Sequence, residues 1–200
     1  MTGSSRAPAA EGAGGPAARP RVLTIGHSTH PIEEFIELLR GAGATRVIDV
    51  RTLAGSRRNP QFNEENLGPS LDAAGLPYQR EPRLGGLRKA SHAVGAEVNG
   101  FWENQSFHRY SDYALGEEFA AGLAALIEMA TPPELPVIMC SEAVWWRCHR
   151  RIIADYLLAR GIPVAHIMPD GRLTTATPTV GSRSEPDGTV RYPAPAPGLR

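Results

Sequence analysis

The chain has 200 residues, 42% of them hydrophobic, which suits one globular domain with a real core. Its 21 basic and 21 acidic side chains cancel, so no whole-molecule field draws in nucleic acid or an acidic membrane, and any anion site must be local. Two cysteines make no disulfide framework, nothing near the start has the form of a secretory h-region, and no apolar run approaches the roughly twenty residues of a membrane span; a cytoplasmic protein that does not enter the membrane is expected.

Residues 1–20 are built from Ala, Gly, Pro and Ser without apolar periodicity, and a disordered tail is expected there. A β-rich run from Arg21 to Gly26 leads through His27-Ser28-Thr29-His30-Pro31 into a helix in which Ile32, Phe35, Ile36 and Leu39 repeat at helical spacing. Arg46 to Arg51 reads as a second strand, and strand, helix, strand is the pattern of a parallel crossover. After a loop, Asn63 to Ala74 reads as a short helix and Leu76 to Gln79 as a third strand. Residues 83–106 contain Gly85-Gly86 and no period, a length of chain that compact domains reserve for lids and binding loops. Further on come a helix from about Tyr110 to Ala130, a strand from Val137 to Cys140, a helix from about Trp145 to Arg160, and a last strand from Pro163 to Ile167.

This alternation predicts an α/β fold: a single three-layer, Rossmann-like domain over residues 21–168 with a mostly parallel sheet and a long irregular lid-like loop. Residues 169–200 read as an irregular Pro/Gly-rich C-terminal extension. Ligands of such sheets sit beyond the carboxyl ends of the strands. That rule gathers His27 and Ser28, Asp49 and Arg51, Cys140 and Glu142, and His166 at one rim.

Cys140 ends a strand, and Cys148 lies beside Arg147, His149 and Arg150 near the start of a helix, the setting that lowers a thiol pKa. A cysteine phosphatase or rhodanese loop does not fit, because six residues separate Cys140 from Arg147 and none is glycine. Cys140, Cys148 and a histidine also offer metal ligands, without the paired close spacings of a structural zinc site. His27 and His149 are candidate acid/base groups, with Glu142 as a third. Asp49 and Arg51 share one face of a strand, where they either pair with each other or bind an anion; Arg57 lies in a basic, aromatic loop suited to phosphate.

Thr24-Ile25-Gly26-His27-Ser28, Ile48-Asp49-Val50-Arg51, Ser56-Arg57 with Asn59-Pro60 and Phe62, Leu84-Gly85-Gly86, Met139-Cys140-Ser141-Glu142 and Cys148-His149-Arg150 follow one another in that order. These blocks resemble the signature of the domain of unknown function 488 family. The resemblance implies a compact α/β domain of bacterial and archaeal cytoplasm and carries no activity with it.

The leading reading is an enzyme acting on a small anionic or nucleotide-like substrate. Cys148 or Cys140 serves as nucleophile, His27, His149 or Glu142 handles protons, and Ser28, Asp49, Arg51, Arg57 and Arg150 bind the substrate. The first alternative is a nucleotide- or nucleic-acid-binding module using Arg57, Arg58, Arg83, Arg88 and Trp102. The second is a metal-dependent hydrolase or sensor built on Cys140, Cys148 and a histidine. No cofactor is indicated by the sequence.

Overall fold

The structure, a computed structural model, describes residues 19–91 and 93–195. The expected disordered tail falls on residues 1–18, outside that range, and on Arg19 and Pro20, which carry no regular structure. In chain order the elements are β1 (Val22–Gly26), α1 (Ile32–Gly41), β2 (Arg46–Asp49), α2 (Glu64–Ala73), β3 (Tyr78–Arg80), α3 (Gln105–Ala114), α4 (Glu117–Met129), β4 (Pro136–Cys140), α5 (Arg150–Leu158), β5 (Val164–Ile167), β6 (Leu173–Thr175), β7 (Arg183–Ser184) and β8 (Val190–Arg191). The main sheet has the order β3-β2-β4-β1-β5-β6. Its first five strands in sequence run parallel, and β6 joins the edge antiparallel.

Successive strand residues face opposite sides of a sheet, and here each side buries its own apolar set. Leu23, Ile25, Val47, Val137, Met139 and Ile167 pack with Phe35 and Leu39 of α1 and Leu67 and Leu71 of α2. Val22, Ile48, Ile138, Cys140 and Val164 pack with Phe119, Leu123 and Leu126 of α4 and Ile152, Ile153 and Tyr156 of α5. The result is the expected three-layer α/β domain.

The position of the site follows from this layering. The chain leaves β1 towards α1 on one face and leaves β4 towards α5 on the other, although β1 and β4 are hydrogen-bonded neighbours. Connections that diverge from adjacent strands open a crevice at their carboxyl ends. Its base is tightly closed. The His27 amide donates to the Cys140 carbonyl at 2.9 Å and the Ser28 amide to the Ser141 carbonyl at 3.0 Å. A Cβ on Gly26 would lie 1.8 Å from the Glu142 carbonyl oxygen, so the two loops meet this closely only because residue 26 has no side chain.

Three segments depart from the sequence reading. The helix expected over Tyr110 to Ala130 is two helices broken at Leu115 and Gly116, and the first begins earlier, where Asn104 Oδ1 accepts the Ser106 amide at 2.8 Å. The helix expected from Trp145 starts at Arg150 instead: Trp145–Arg147 form one 3-10 turn and Cys148 is extended (φ −127°, ψ 147°). Tertiary contacts hold this stretch out of the helix, since Trp145 stacks on His166 at 4.5 Å and the Arg150 guanidinium bonds the Glu142 carbonyl.

The segment after β5, read as irregular, carries β6 to β8 and buries Val190 and Tyr192 behind α5. Asp155 of α5 anchors it, accepting the Thr179 amide at 2.9 Å and the Tyr192 hydroxyl at 2.8 Å.

Replacing Gly26 with Ala forces the β1 and β4 loops apart. A loss of about 1–3 kcal/mol is expected, as for other overpacked interiors, seen as a drop of roughly 3–10 °C in the thermal midpoint. An unchanged midpoint would show that the loops are not locked together.

Candidate functional site

The crevice widens into an open cleft of about 750 Å³. His27, Ser28, Arg51, Cys140, Glu142, Cys148 and His149 line it, as do Thr52, Ser56, Asn59, Gly86, Asn104, Ser106, Phe107 and Arg147. Seven of the expected site residues are therefore brought together from β1, β2, β4 and the approach to α5. Asp49 and Arg150 stand directly behind the cleft wall. Arg57 is exposed and does not line the cleft, because the loop turns Ser56 and Asn59 inward. The Ser56 amide donates to Asn63 Oδ1 at 2.6 Å, and the Asn59 amide to Ser56 Oγ at 3.1 Å.

Asp49 and Arg51 pair with each other. Arg51 Nε donates to Asp49 Oδ1 at 2.9 Å, its Nη2 to Oδ2 at 2.6 Å and to the Phe62 carbonyl at 2.8 Å, and Tyr78 Oη also donates to Oδ2 at 2.8 Å. The guanidinium is consumed by protein groups rather than held ready for an anion. Its Nη1 lies 3.3 Å from His27 Nε2, while His27 Nδ1 lies 2.9 Å from the Ser28 carbonyl. A carbonyl can only accept, so Nδ1 carries the proton and Nε2 receives Arg51, which fixes one neutral tautomer. Burial, reinforced by the Arg51 charge, pushes the His27 pKa down to about 4. His166, hydrogen-bonded to Thr24 Oγ1 at 2.8 Å under the Trp145 ring, is likewise driven by burial down to about 3.

Ser28 is the only non-glycine residue with positive φ (48°) among those described. Such a conformation persists only where its surroundings hold it, here through the Ser28 amide on Ser141.

At the cleft floor Cys140 Sγ, Cys148 Sγ and a ring nitrogen of His149 all lie within 4.8 Å of one another. His149 Nδ1 is 3.7 Å from Cys148 Sγ and 4.0 Å from Cys140 Sγ. The ring fits because residue 86 is glycine: a Cβ there would come within 2.5 Å of Nδ1. Arg150 is 1% exposed, and its Nε donates to Cys148 Sγ at 3.2 Å. No carboxylate pairs with Arg150 among the described residues. Burial alone would raise the Cys148 pKa. The neighbouring Cys140 thiol, the Arg150 charge and His149 outweigh it and hold Cys148 well below the ordinary thiol value. Cys140 moves the opposite way, pushed well up by the neighbouring Cys148 sulfur and by burial.

Over residues 31–157 the sequence matches the family model described as "Domain of unknown function DUF488", more than half of the chain. The chain belongs to the DUF488 family. No curated protein and no solved structure matches this DUF488 chain. No helix among the described residues is long and apolar enough to cross a membrane.

The sequence reading missed Tyr78, which with the Phe62 carbonyl completes the Asp49–Arg51 pair, and Asn104, Ser106 and Phe107, which bring the start of α3 into the cleft; Phe62, read as part of a phosphate-binding loop, instead accepts from Arg51. Asn104 before a helical period was the one available signal. Trp102 and Arg83, expected on a nucleic-acid surface, are otherwise engaged in this DUF488 fold. Trp102 is buried among Phe101, Phe107 and Tyr192, and Arg83 is paired with Glu81.

The depressed histidines set an acid limit on stability. Below about pH 6.5 the unfolded chain takes up protons that the folded chain refuses until about pH 4 at His27 and about pH 3 at His166. Both therefore weaken the fold as pH falls through that window and contribute nothing above it. In urea unfolding, the stability gap between wild type and His166→Gln is expected to narrow on acidification by up to about 1.4 kcal/mol per pH unit. Parallel curves would show that His166 titrates normally.

Proposed function

We propose that the protein is an enzyme that uses the Cys148 thiolate as a nucleophile on a small anionic or nucleotide-like molecule bound in the rim cleft. One observation carries the reading. Arg150 is buried with no carboxylate partner among the described residues, and an uncompensated buried cation is strongly destabilising, which supports placing the negative charge on Cys148. A thiolate held at the floor of an open cleft is an activated nucleophile.

Around it the roles divide by geometry. His149, with Nδ1 facing both sulfurs, is the proton carrier. His27 has both ring nitrogens occupied and positions Arg51. Glu142 and Arg147 are exposed charges on the cleft wall, and no ion pair engages either among the described residues. Arg147 gives the cleft its attraction for an anion, and the hydroxyls of Ser28, Thr52 and Ser56 suit a phosphate or carboxylate.

Cys140, Cys148 and His149 also have the composition of a zinc site. Two features count against a metal there. Arg150 sets a fixed positive charge against one sulfur, and the buried His149 Nε2 has no partner among the described residues, whereas a metal-bound imidazole ordinarily gives its second N–H to an acceptor.

Iodoacetamide labelling against pH tests the proposal. One thiol should be alkylated rapidly at pH values well below the usual thiol pKa of about 8.5, chelator should not alter the rate, and Cys148→Ser should abolish the fast phase. Protection of both thiols until chelator releases stoichiometric metal would replace the nucleophile by a metal site. Slow labelling of both up to alkaline pH would end the enzyme reading.

A further inference from the structure

A nucleophile for acyl or phosphoryl transfer needs one thiol, yet the cleft floor has two. Cys140 lines the same cleft as Cys148, is 6% exposed, and has its sulfur within 4.8 Å of the Cys148 sulfur. No part of the site described above uses this second sulfur. In sulfur chemistry the arrangement has a definite use, because a mixed disulfide formed at one cysteine is resolved by a second thiol within reach.

Resting on the Cys148 nucleophile, we propose that Cys148 and Cys140 act as an attacking and a resolving thiol that reduce small anionic disulfides. In the first step the Cys148 thiolate attacks one sulfur of the substrate disulfide RS–SR′. A Cys148–SR bond forms, the RS–SR′ bond breaks, and R′S⁻ leaves. In the second step Cys140 gives its proton to His149, and its thiolate attacks the Cys148 sulfur. The Cys140–Cys148 bond forms and RS⁻ leaves, taking the proton from His149. Two electrons pass from the protein dithiol to the substrate, which departs as two thiols.

The geometry meets each demand of this sequence. The two sulfurs lie within 4.8 Å, so the bond of about 2 Å requires a closure of less than about 3 Å. Cys148 is extended and outside α5, so its side chain can move without breaking a helix. His149 Nδ1, 4.0 Å from Cys140 Sγ and 3.7 Å from Cys148 Sγ, is placed between the group that must lose a proton and the bond being broken. Arg147 is an exposed residue of the cleft wall with no ion-pair partner among the described residues, and its charge can attract a substrate carboxylate.

The test uses the full chain, reduced and freed of reductant, with the anionic disulfide dithiobis-nitrobenzoate added at neutral pH. Release of thionitrobenzoate is followed by absorbance, and intact mass reports what stays on the protein. Wild type should release about two equivalents and keep no adduct, its mass falling only by the two hydrogens of a new disulfide. Cys140→Ser should release about one equivalent and retain the adduct on Cys148.

If wild type stops at one equivalent with a lasting adduct on Cys148, the resolving role of Cys140 is wrong and the thiolate reading stands. Two adducts on wild type overturn the pair in the same way. No release from wild type removes the thiolate reading itself. Wild-type stoichiometry and mass decide these outcomes, so nothing hangs on whether a variant folds.

Discussion

A guanidinium buried away from water needs a negative charge beside it, and among the described residues Arg150 meets a sulfur and a backbone carbonyl but no carboxylate. Its Nε donates to Cys148 Sγ at 3.2 Å and another of its nitrogens bonds the Glu142 carbonyl, so one side chain ties the start of α5 to the loop after β4. Much of the site follows from this contact. The Cys148 pKa is held down while that of Cys140 is pushed up, and the chain between the Trp145–Arg147 turn and α5 is drawn out of helical geometry, with the sulfur lining the cleft. Removing Arg150 would leave only Cys140 and His149 to offset the burial that disfavours a Cys148 thiolate.

The place where this happens is dictated by topology. Adjacent strands β1 and β4 send their connections to opposite faces, and the crevice between them has to be closed at its base and open at its mouth. Gly26 permits the closure, the left-handed Ser28 turns the first loop over the second, and the Asp49–Arg51–His27 chain of bonds braces the neighbouring wall from β2. The Asp49–Arg51 ion pair thus serves shape, whereas in the proposed function the Arg150–Cys148 pair serves chemistry. The distinction lies in the partner: Asp49 is already saturated by Arg51 and Tyr78, and a thiolate keeps a reactive lone pair.

Much of the architecture was legible in the sequence because its signals are local. Short, nearly continuous apolar runs in Val22 to Ile25 and Val137 to Cys140, helical spacing from Ile32 to Leu39, and the polar residues after each strand were enough to expect a parallel sheet with a site at its rim. What the sequence hid is long-range. Cys148 sits in an apparent helix whose start is displaced by contacts with His166 and Glu142, residues read as parts of other elements. Arg51 has the sequence position of an anion clamp, but Asp49 and the Phe62 carbonyl take up its donors, and Tyr78, far along the chain, completes the bonding of Asp49. The segment after β5 shows no period because single residues such as Tyr192 and Thr179 fasten it to Asp155.

The central claim, that Cys148 is the anion balancing Arg150, is most directly measured by titrating thiolate ultraviolet absorbance against pH in wild type, Cys148→Ser and Arg150→Met. The expected result is a thiolate signal in wild type that persists well below the ordinary value of about 8.5. That signal should be absent from Cys148→Ser, and its midpoint should rise by about one to three pH units in Arg150→Met. A wild-type signal that appears only near the ordinary thiol value, or one whose midpoint is indifferent to Arg150, would contradict it.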